Sequence, residues 1–325
     1  MAGNESVGTQ GVSSASAPAE RPTFSFELYP PRSAAAEAAL LPALDQLIAS
    51  GPAFISVTYG ANGSSRTASL DVLRYLLRNG TVPAMAHFTA VGSSFADASQ
   101  LVREFLDEGV TSFLALRGDP PQGVPEDDLV LGDFRSASEL VQFIHAVQTE
   151  REPFFAHEVP GFPGAKRLGS GRKVTIAVAA FPNGHPRSRS RAQDLDTLLA
   201  KEAAGANLAI TQVIFDADDY LGFVDDARGA GVTMPILPGI MPVLSEKRLH
   251  RIVELTGEAM PTRLLLDVQA SADPASVGIA HAAQLGRDVL AGGAPGIHLY
   301  TSNRSDAPLA VLGEVGLLTS REIPA

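Results

Sequence analysis

The chain has 325 residues, of which 45% are hydrophobic, so it can bury one large core or two modest ones and is too long for a small disulfide scaffold. A formal net charge of −11 argues against non-specific binding to nucleic acid or to an anionic membrane, because both select for basic surfaces. The chain contains no cysteine, which excludes disulfides, thiolate nucleophiles, zinc–thiolate sites and iron–sulfur clusters.

The first twenty residues carry neither the basic segment nor the apolar run of a signal peptide. No later stretch approaches the roughly 18 uninterrupted apolar residues of a membrane-spanning helix. We therefore expect a flexible tail over residues 1–22, no export, no membrane insertion and a cytoplasmic location.

From residue 23 onward, short apolar runs alternate with helical patterns. Strands are predicted at 24–29, 53–58, 83–88, 112–117, 174–180, 207–213, 234–240 and 295–300, with helices at 34–50, 66–79, 95–109, 136–150, 190–204, 217–230, 245–257 and 274–292. The strands show little polar alternation, which is typical of parallel strands covered on both faces. Eight such units, and the absence of G-x-G-x-x-G after the first strand, favour a closed (β/α)8 (TIM) barrel over an open sheet. We expect one barrel domain over residues 23–320 and a short tail over 321–325.

The segment 151–173 is the one long insertion in this pattern, and its Pro and Gly spacing is predicted to prevent regular structure. Because it precedes the fifth predicted strand, its base is expected on the face opposite the strand ends. We interpret it as a surface excursion. A lid, or an arm that reaches the other rim or a neighbouring subunit, is the alternative.

A polar or ionisable residue stands at the downstream end of nearly every predicted strand. These residues are Glu27, Thr58, His87, Asp119, Gln212 and Tyr300. Parallel strands would bring all six side chains to one end of the barrel, where α/β barrels keep their active sites. The seven histidines form no ligand-spaced cluster with carboxylates, so no metal site is predicted.

Six ordered motifs resemble the methylenetetrahydrofolate reductase family, from Phe24 to about Leu318. They are FSFELYPPR, SVTYGANGSSR, LRGDPP, GANLAITQVIFD, PGIMPV and HLYTSNR. The resemblance implies a barrel that reduces 5,10-methylenetetrahydrofolate to 5-methyltetrahydrofolate with hydride from NADH or NADPH, normally through bound FAD. The implied partners are small molecules, a reduced folate and a nicotinamide nucleotide, and a homo-oligomer is left open.

Such a reaction needs an acid, because the five-membered ring of the substrate must open at N10 to expose an electrophilic iminium at N5. Glu27 lies between Phe26 and Leu28, and these apolar neighbours are expected to desolvate its carboxyl and raise its pKa toward neutrality. The resemblance implies the same catalytic role. An ion pair with Arg32 at the barrel rim is the structural alternative.

The remaining substrate contacts follow from the resemblance. Asp119 would bind the pterin edge, and its fixed carboxylate would stabilise the iminium; the alternative is an Asp that caps the turn before two prolines. Gln212 would bind the pterin amide, or alternatively satisfy backbone groups. Tyr300 and Arg304 are further candidates near the substrate.

The resemblance also implies a set of FAD-binding positions. These are Thr58, His87, Arg117, Gly118, Phe181, His185, Asp194 and Lys201. Several departures weaken the set. Around Thr197, one amide and one cation of the family pattern are missing. Phe181 stands where the family has a Tyr. Arg248 and Ile252 stand where the family has a Gln and a Phe.

The sequence therefore leaves the hydride route open. Our hypothesis is direct transfer from NAD(P)H to the iminium, without FAD, and Arg248, Lys247 or Arg251 would then meet a phosphate or the glutamate tail of folate. A conventional FAD-dependent reductase is the first alternative. A non-catalytic folate- or nucleotide-binding barrel is the second, and a phosphate-binding aldolase-type barrel is disfavoured because no Gly-rich phosphate loop follows the last two strands.

Overall fold

A computed structural model describes residues 21–59, 63–80, 82–89, 92–118, 132–151, 155–158, 166–169 and 174–318. Asp119 and nearly all of both predicted tails lie outside these ranges. No helix in the described ranges is long and apolar enough to cross a membrane.

Eight parallel strands close into one barrel, which confirms the predicted (β/α)8 fold. Around the barrel the order is β1-β10-β9-β8-β7-β4-β3-β2. The barrel strands are β1 (Thr23–Leu28), β2 (Ile55–Val57), β3 (Ala84–Thr89), β4 (Ser112–Leu116), β7 (Thr175–Ala180), β8 (Leu208–Val213), β9 (Ile236–Ile240) and β10 (Gly296–Tyr300). Each lies within about two residues of its predicted range.

The helices follow the predicted alternation, with two additions. They are α1 (Ala34–Ala49), α2 (Gly63–Asn79), α3 (Phe95–Asp107), α4 (Ala137–Arg151), α5 (Arg191–Ala203), α6 (Ala217–Ala230), α7 (Glu246–Thr256), α8 (Thr262–Ala270), α9 (Pro274–Ala291) and α10 (Asp306–Val315). Sequence reasoning missed α8 and α10. A signal was present in α8, because its buried Leu264 and Val268 are spaced by one helical turn.

The insertion at 151–173 is more regular than predicted. Strands β5 (Phe155–Glu158) and β6 (Lys166–Gly169) pair as an antiparallel two-stranded sheet outside the barrel. The expectation that this segment holds no regular structure is therefore wrong. In the sequence, Pro160 and Pro163 stand between the two strands and outside the described residues, so neither proline interrupts a strand.

A cluster of buried apolar side chains packs inside the barrel. Its buried members are Phe54, Met85, Leu114, Ala177, Ile210 and Leu237. Alternate residues of β1, Phe24, Phe26 and Leu28, belong instead to the larger cluster shared with the surrounding helices.

Candidate active site

Glu27 lies near the carboxyl end of β1, where it meets two histidines from other strands. Its Oε2 is 3.4 Å from Nε2 of His87 on β3 and 3.6 Å from Nε2 of His298 on β10. The Glu27 side chain keeps 17% of its exposure, whereas those of His87 and His298 keep 5% and 0%. Among the three, the carboxyl is therefore the group that reaches the mouth of the barrel.

The pairing of β1 with β10 fixes this arrangement. Ser25 and His298 are register partners, and Ser25 Oγ lies 2.7 Å from His298 Nδ1. The backbone of Glu27 is held from the same side, because Thr301 Oγ1 donates a hydrogen bond of 2.8 Å to its carbonyl oxygen. Strand pairing therefore positions both the acid and the imidazole beneath it.

The pKa of Glu27 differs from the sequence expectation. Burial, the largest single influence, favours the neutral acid, but the attraction of the carboxylate to His87 and His298 together outweighs it and lowers the pKa to about 2. The predicted rise toward neutrality is therefore wrong. The sequence revealed the apolar neighbours along β1 but not the imidazoles brought in by β3 and β10.

Tyr300 lies beside this cluster at the end of β10. Its hydroxyl donates to the carbonyl of Thr211 over 3.0 Å, and its ring meets that of His298 edge-on, with centroids 5.4 Å apart. Gly239 makes this placement possible, because a Cβ there would lie 2.4 Å from Thr211 O and 2.8 Å from the Tyr300 ring. Burial and the nearby Glu27 raise the pKa of Tyr300 well above its usual value, so its hydroxyl stays a donor.

Gln212 lies at an irregularity in β8, where the register with β9 shifts between Ile210 and Val213. Its amide oxygen accepts a hydrogen bond of 2.8 Å from the backbone N–H of Val213. A bulge of this kind commonly re-aims a side chain next to an active site. The amide is thus partly committed to the main chain, and its role toward a pterin stays a prediction.

The rim above β10 includes the guanidinium of Arg248, which a hydrogen bond holds in place. Arg248 on α7 donates from Nη1 to Ser302 Oγ over 3.0 Å and has no carboxylate partner among the described residues. Ser302 and Asn303 adopt positive φ angles of 54° and 60°, and Asn303 bonds both the N–H and the carbonyl of Tyr29. Non-glycine residues in this conformation are costly and cluster at functional sites.

Other candidates at this rim are placed less favourably. Arg304 forms an ion pair with Asp306 at the start of α10, with 54% of its side chain exposed. Ile252, which stands where the family has an aromatic residue, is buried among apolar residues of α7 and α8. Neither side chain joins the Glu27 cluster, and the predicted substrate role of Arg304 stays a prediction.

The residues expected to bind FAD around α5 are bonded largely to one another. The rings of Phe181 and His185 meet edge-on, with centroids 4.6 Å apart. Asp194 accepts hydrogen bonds from the Ser188 hydroxyl and from the backbone N–H of His185. These contacts shape the loop between β7 and α5.

Lys201 lies in the last turn of α5 and is buried. Its Nζ donates to the carbonyl of Ala179 on β7 over 2.7 Å. Burial lowers its pKa to about 8, against a smaller opposing influence from Asp194. This ammonium therefore ties the helix to the barrel and does not extend toward solvent.

Three FAD candidates follow strands β2 and β4. Thr58 donates from Oγ1 to Leu28 O over 3.2 Å, and Arg117 and Gly118 come directly after β4, with Gly118 at a positive φ of 85°. They therefore lie at the same end of the barrel as Glu27. Asp119, the next residue, lies outside the described residues.

Sequence reasoning missed Ser25 and His298. A signal was available, because side chains two residues apart on a strand point to the same side, so Ser25 accompanies Glu27 and His298 accompanies Tyr300. The closeness of the two pairs depended on β1 meeting β10 across the closure of the barrel.

Comparisons with known proteins show which family the chain resembles. A family model described as methylenetetrahydrofolate reductase matches residues 13–316. The chain is 32% identical over 307 residues to a probable methylenetetrahydrofolate reductase (NADH) of Oryza sativa subsp. japonica, covering 93% of this chain and 50% of that protein. It is 30% identical over 297 residues to 5,10-methylenetetrahydrofolate reductase of Salmonella typhimurium, covering 90% of each chain. It is 33% identical over 304 residues to a probable methylenetetrahydrofolate reductase (NADPH) of Caenorhabditis elegans, covering 90% of this chain and 42% of that protein.

The chain thus spans about half the length of the plant relatives and nearly all of the bacterial one. Among solved structures, an uncharacterised Clostridium thermocellum protein, described as binding two copies of 5-methyl-5,6,7,8-tetrahydrofolic acid, superposes with a TM-score of 0.59 at 12% identity, covering 91% of this chain and 94% of that one. At that identity the likeness concerns the fold. The family match and the identity to the relatives show that the chain belongs to the methylenetetrahydrofolate reductase family.

Proposed function

We propose that this protein reduces 5,10-methylenetetrahydrofolate to 5-methyltetrahydrofolate with a hydride from NADH or NADPH, and that Glu27 delivers the proton that opens the ring at N10. The observation that carries the proposal is the position of Glu27. It is the partly accessible carboxyl of a buried polar cluster, at the barrel end where this fold keeps its catalytic groups.

The chemistry requires one proton and one hydride for each turnover. Protonation of N10 lets the bond between N10 and the bridging carbon break, and that carbon becomes part of an iminium with N5. A hydride added to this carbon gives the N5-methyl group and oxidised nicotinamide. The protein must supply the proton at N10, hold the two ligands together and keep water away from the iminium.

Asp119 is proposed to face the positive charge that develops at N5. In the sequence it comes directly after Arg117 and Gly118, which follow β4 at the barrel end that also holds Glu27. A fixed carboxylate there would stabilise the iminium more strongly than water, because it needs no reorganisation when the charge forms.

We further propose that the hydride passes directly from the nicotinamide to the iminium, because the residues around α5 fit FAD poorly. The ammonium of Lys201 is bonded to Ala179 O, and the Asp194 carboxylate is bonded to Ser188 and His185. A charge-assisted contact is worth about 1.5–3 kcal/mol, so a cation that is buried on a carbonyl removes one to two decades of diphosphate affinity. An iminium is electrophilic enough to take hydride from a dihydronicotinamide without an intermediary.

Arg248 is proposed as the anion contact at the rim. Its guanidinium is oriented by Ser302, and no described carboxylate neutralises it. It would bind either the glutamate tail of the folate or a phosphate of the nucleotide. Either contact would orient a ligand over Glu27.

The test uses the full chain, purified without added flavin. Its absorbance is recorded before and after incubation with FAD and removal of unbound flavin, and NADH and NADPH oxidation is followed with 5,10-methylenetetrahydrofolate in both samples. We expect no flavin bands and equal substrate-dependent oxidation in the two samples. Stoichiometric flavin bands together with activity only in the FAD-treated sample would establish the conventional flavin-dependent reaction instead.

The same assay separates an enzyme from a binding protein. A folate- or nucleotide-binding barrel would bind methyltetrahydrofolate without any oxidation of NADH or NADPH above background. Oxidation in the wild type that is lost in Glu27→Gln supports the enzyme.

A further inference from the structure

The Nε2 atoms of His87 and His298 are both buried, and neither forms a hydrogen bond within the described part of the chain. Both lie 3.4–3.6 Å from the same oxygen, Oε2 of Glu27, just beyond ordinary hydrogen-bond length. Buried polar atoms without partners are uncommon and call for an explanation. Two imidazoles directed at one carboxylate oxygen can share a proton with it after a small adjustment.

The surroundings stabilise this carboxyl as an anion, since attraction to the two imidazoles outweighs its burial. An ionised carboxylate has no proton to give. The proton consumed at N10 must therefore come from a neighbour whenever Glu27 acts on the substrate at neutral pH.

The exposures of the three side chains dictate the direction of transfer. His298 is fully enclosed and His87 keeps 5% of its side-chain exposure, whereas Glu27 keeps 17%. The carboxyl is the most exposed of the three groups and lies next to both imidazoles, so it gives their proton the shortest way to the mouth of the barrel. Glu27 is thus the group that would pass a proton from the histidines to a bound ligand.

Ser25 allows His298 to change its protonation state without losing a hydrogen bond. Its hydroxyl lies 2.7 Å from His298 Nδ1. A hydroxyl both donates and accepts, so it can accept from the Nδ1–H of an imidazolium and donate to the bare Nδ1 of a neutral ring. This tolerance suits an imidazole that gains and loses a proton in every cycle.

We propose that His87 and His298 form a proton store for Glu27, in which the pair holds one proton as an imidazolium and Glu27 relays it to N10. In the step, the imidazolium gives its proton to the Glu27 carboxylate and Glu27 gives it to N10, so the cluster ends with Glu27 ionised again and the histidine pair neutral. Solvent returns the proton after product release. This proposal rests on the proposed function for its kinetic part but not for the charge state of the cluster.

The other groups that face Glu27 do not replace the histidines. Tyr300 on β10 is charge-coupled to Glu27, but its raised pKa keeps it neutral. Ser56, the register partner of Glu27 on β2, is not titratable in this range.

The first experiment needs no turnover. The Glu27 carboxyl is titrated by NMR in protein labelled with 13C at glutamate side-chain carboxyls, and its signal is assigned from its loss in Glu27→Gln. In the wild type we expect the carboxyl to stay ionised down to the lowest pH at which the chain remains folded. In His298→Gln and His87→Gln it should begin to protonate at higher pH, and in the double variant at a higher pH still.

A Glu27 signal that titrates at the same pH in the wild type and in both single variants would overturn the proposal. Ser25→Ala is a milder probe, because it leaves both imidazoles in place. It should move the Glu27 titration in the same direction by a smaller amount, and each variant is checked for folding by its thermal unfolding midpoint.

The second experiment measures the pH profile of kcat. A positioned acid contributes roughly 10²–10⁴-fold, so the double variant should lose about 100-fold or more in kcat at neutral pH with a smaller change in KM. The fall of kcat toward alkaline pH should move to lower pH. His281→Gln, which removes a histidine on α9 away from the cluster, is the matched control and should keep the wild-type profile.

The two experiments fail separately. A wild type without reductase activity refutes the proposed function while the NMR titration still measures the cluster. An active double variant with a wild-type pH profile refutes the proton store while the reductase function stands.

Discussion

Two regions at the same end of this barrel treat their charged groups differently. The Glu27 side, formed by Glu27, His87 and His298, gathers buried titratable groups whose facing atoms lack full hydrogen bonds. The α5 side, formed by Asp194, Lys201 and the loop 181–190, bonds the Asp194 carboxylate and the Lys201 ammonium internally. On the Glu27 side, the imidazole nitrogens can still bind protons or ligands. On the α5 side, the charged groups already form hydrogen bonds that stabilise the fold.

The difference shows that membership of a family does not fix the role of each matching residue. Lys201 matches a position that implies a cofactor contact, yet its ammonium links α5 to β7 through a hydrogen bond to Ala179 O. His298 matches no predicted site, yet it lies directly against the acid. The state of each side chain follows from its partners, and the predictions below test those partners.

The largest expected effect is on catalysis at the Glu27 side. Glu27→Gln keeps the size and hydrogen-bonding capacity of the side chain but cannot relay a proton. We expect kcat for NAD(P)H oxidation to fall by roughly 10²–10⁴-fold with little change in folate affinity. Glu254→Gln, on the exposed face of α7, is the control and should stay within about twofold, since surface ion pairs contribute little. An active Glu27→Gln would remove the basis of the comparison.

The next effect concerns stability on the α5 side. The pKa of Lys201 is about 8 when folded and near 10.5 when unfolded, so between these values the unfolded chain binds more protons and stability rises with pH. The full rise is about 3 kcal/mol. Urea unfolding at pH 7, 9 and 10.5 should show this rise in the wild type relative to Lys201→Met, because subtracting the two curves cancels all other titrations. Parallel curves would mean that Lys201 is solvated and free to bind a ligand.

A third effect distinguishes the cations of α7. Arg248→Ala should raise KM for the folate or for the nucleotide about tenfold or more, since a charge-assisted contact contributes about 1.5–3 kcal/mol. Arg251→Ala is the matched control, because Arg251 is exposed and paired with Glu254, and its KM values should not change. Which KM rises identifies the ligand that Arg248 binds. Equal behaviour of the two variants would assign Arg248 to the surface.

The smallest effect is expected from Gly239, which packs against the ring of Tyr300. Gly239→Ala places a methyl group 2.4 Å from Thr211 O, and overpacking of this kind costs about 1–3 kcal/mol. We expect a lower unfolding midpoint and a reduced kcat as the tyrosine ring is displaced. Gly222→Ala on α6 meets nothing within 4 Å and should instead stabilise the chain by about 0.5–1 kcal/mol. Equal midpoints for the two variants would mean that the ring has room to move.

The sequence by itself determined the fold class and predicted which polar side chains lie together at one end of the barrel. Apolar runs of strand length, alternating with helical periodicity, predicted all eight barrel strands, because burial on both faces leaves a pattern that can be read along the chain. Polar residues at the ends of those runs likewise predicted Glu27, His87 and Tyr300 at one end. The hairpin β5–β6 was missed because proline and glycine spacing reads as irregular when the strands between them are only four residues long.

Only the tertiary structure decided which groups touch. Glu27 and His298 are separated by most of the chain and meet because β1 pairs with β10 where the barrel closes. Together with His87 on β3, which has the larger influence, that contact reverses the direction of the Glu27 pKa shift, since charge interactions depend on distance in space and not along the polymer. The burial of Lys201 likewise depends on how α5 packs against β7, so its role could not be read from the residue type alone.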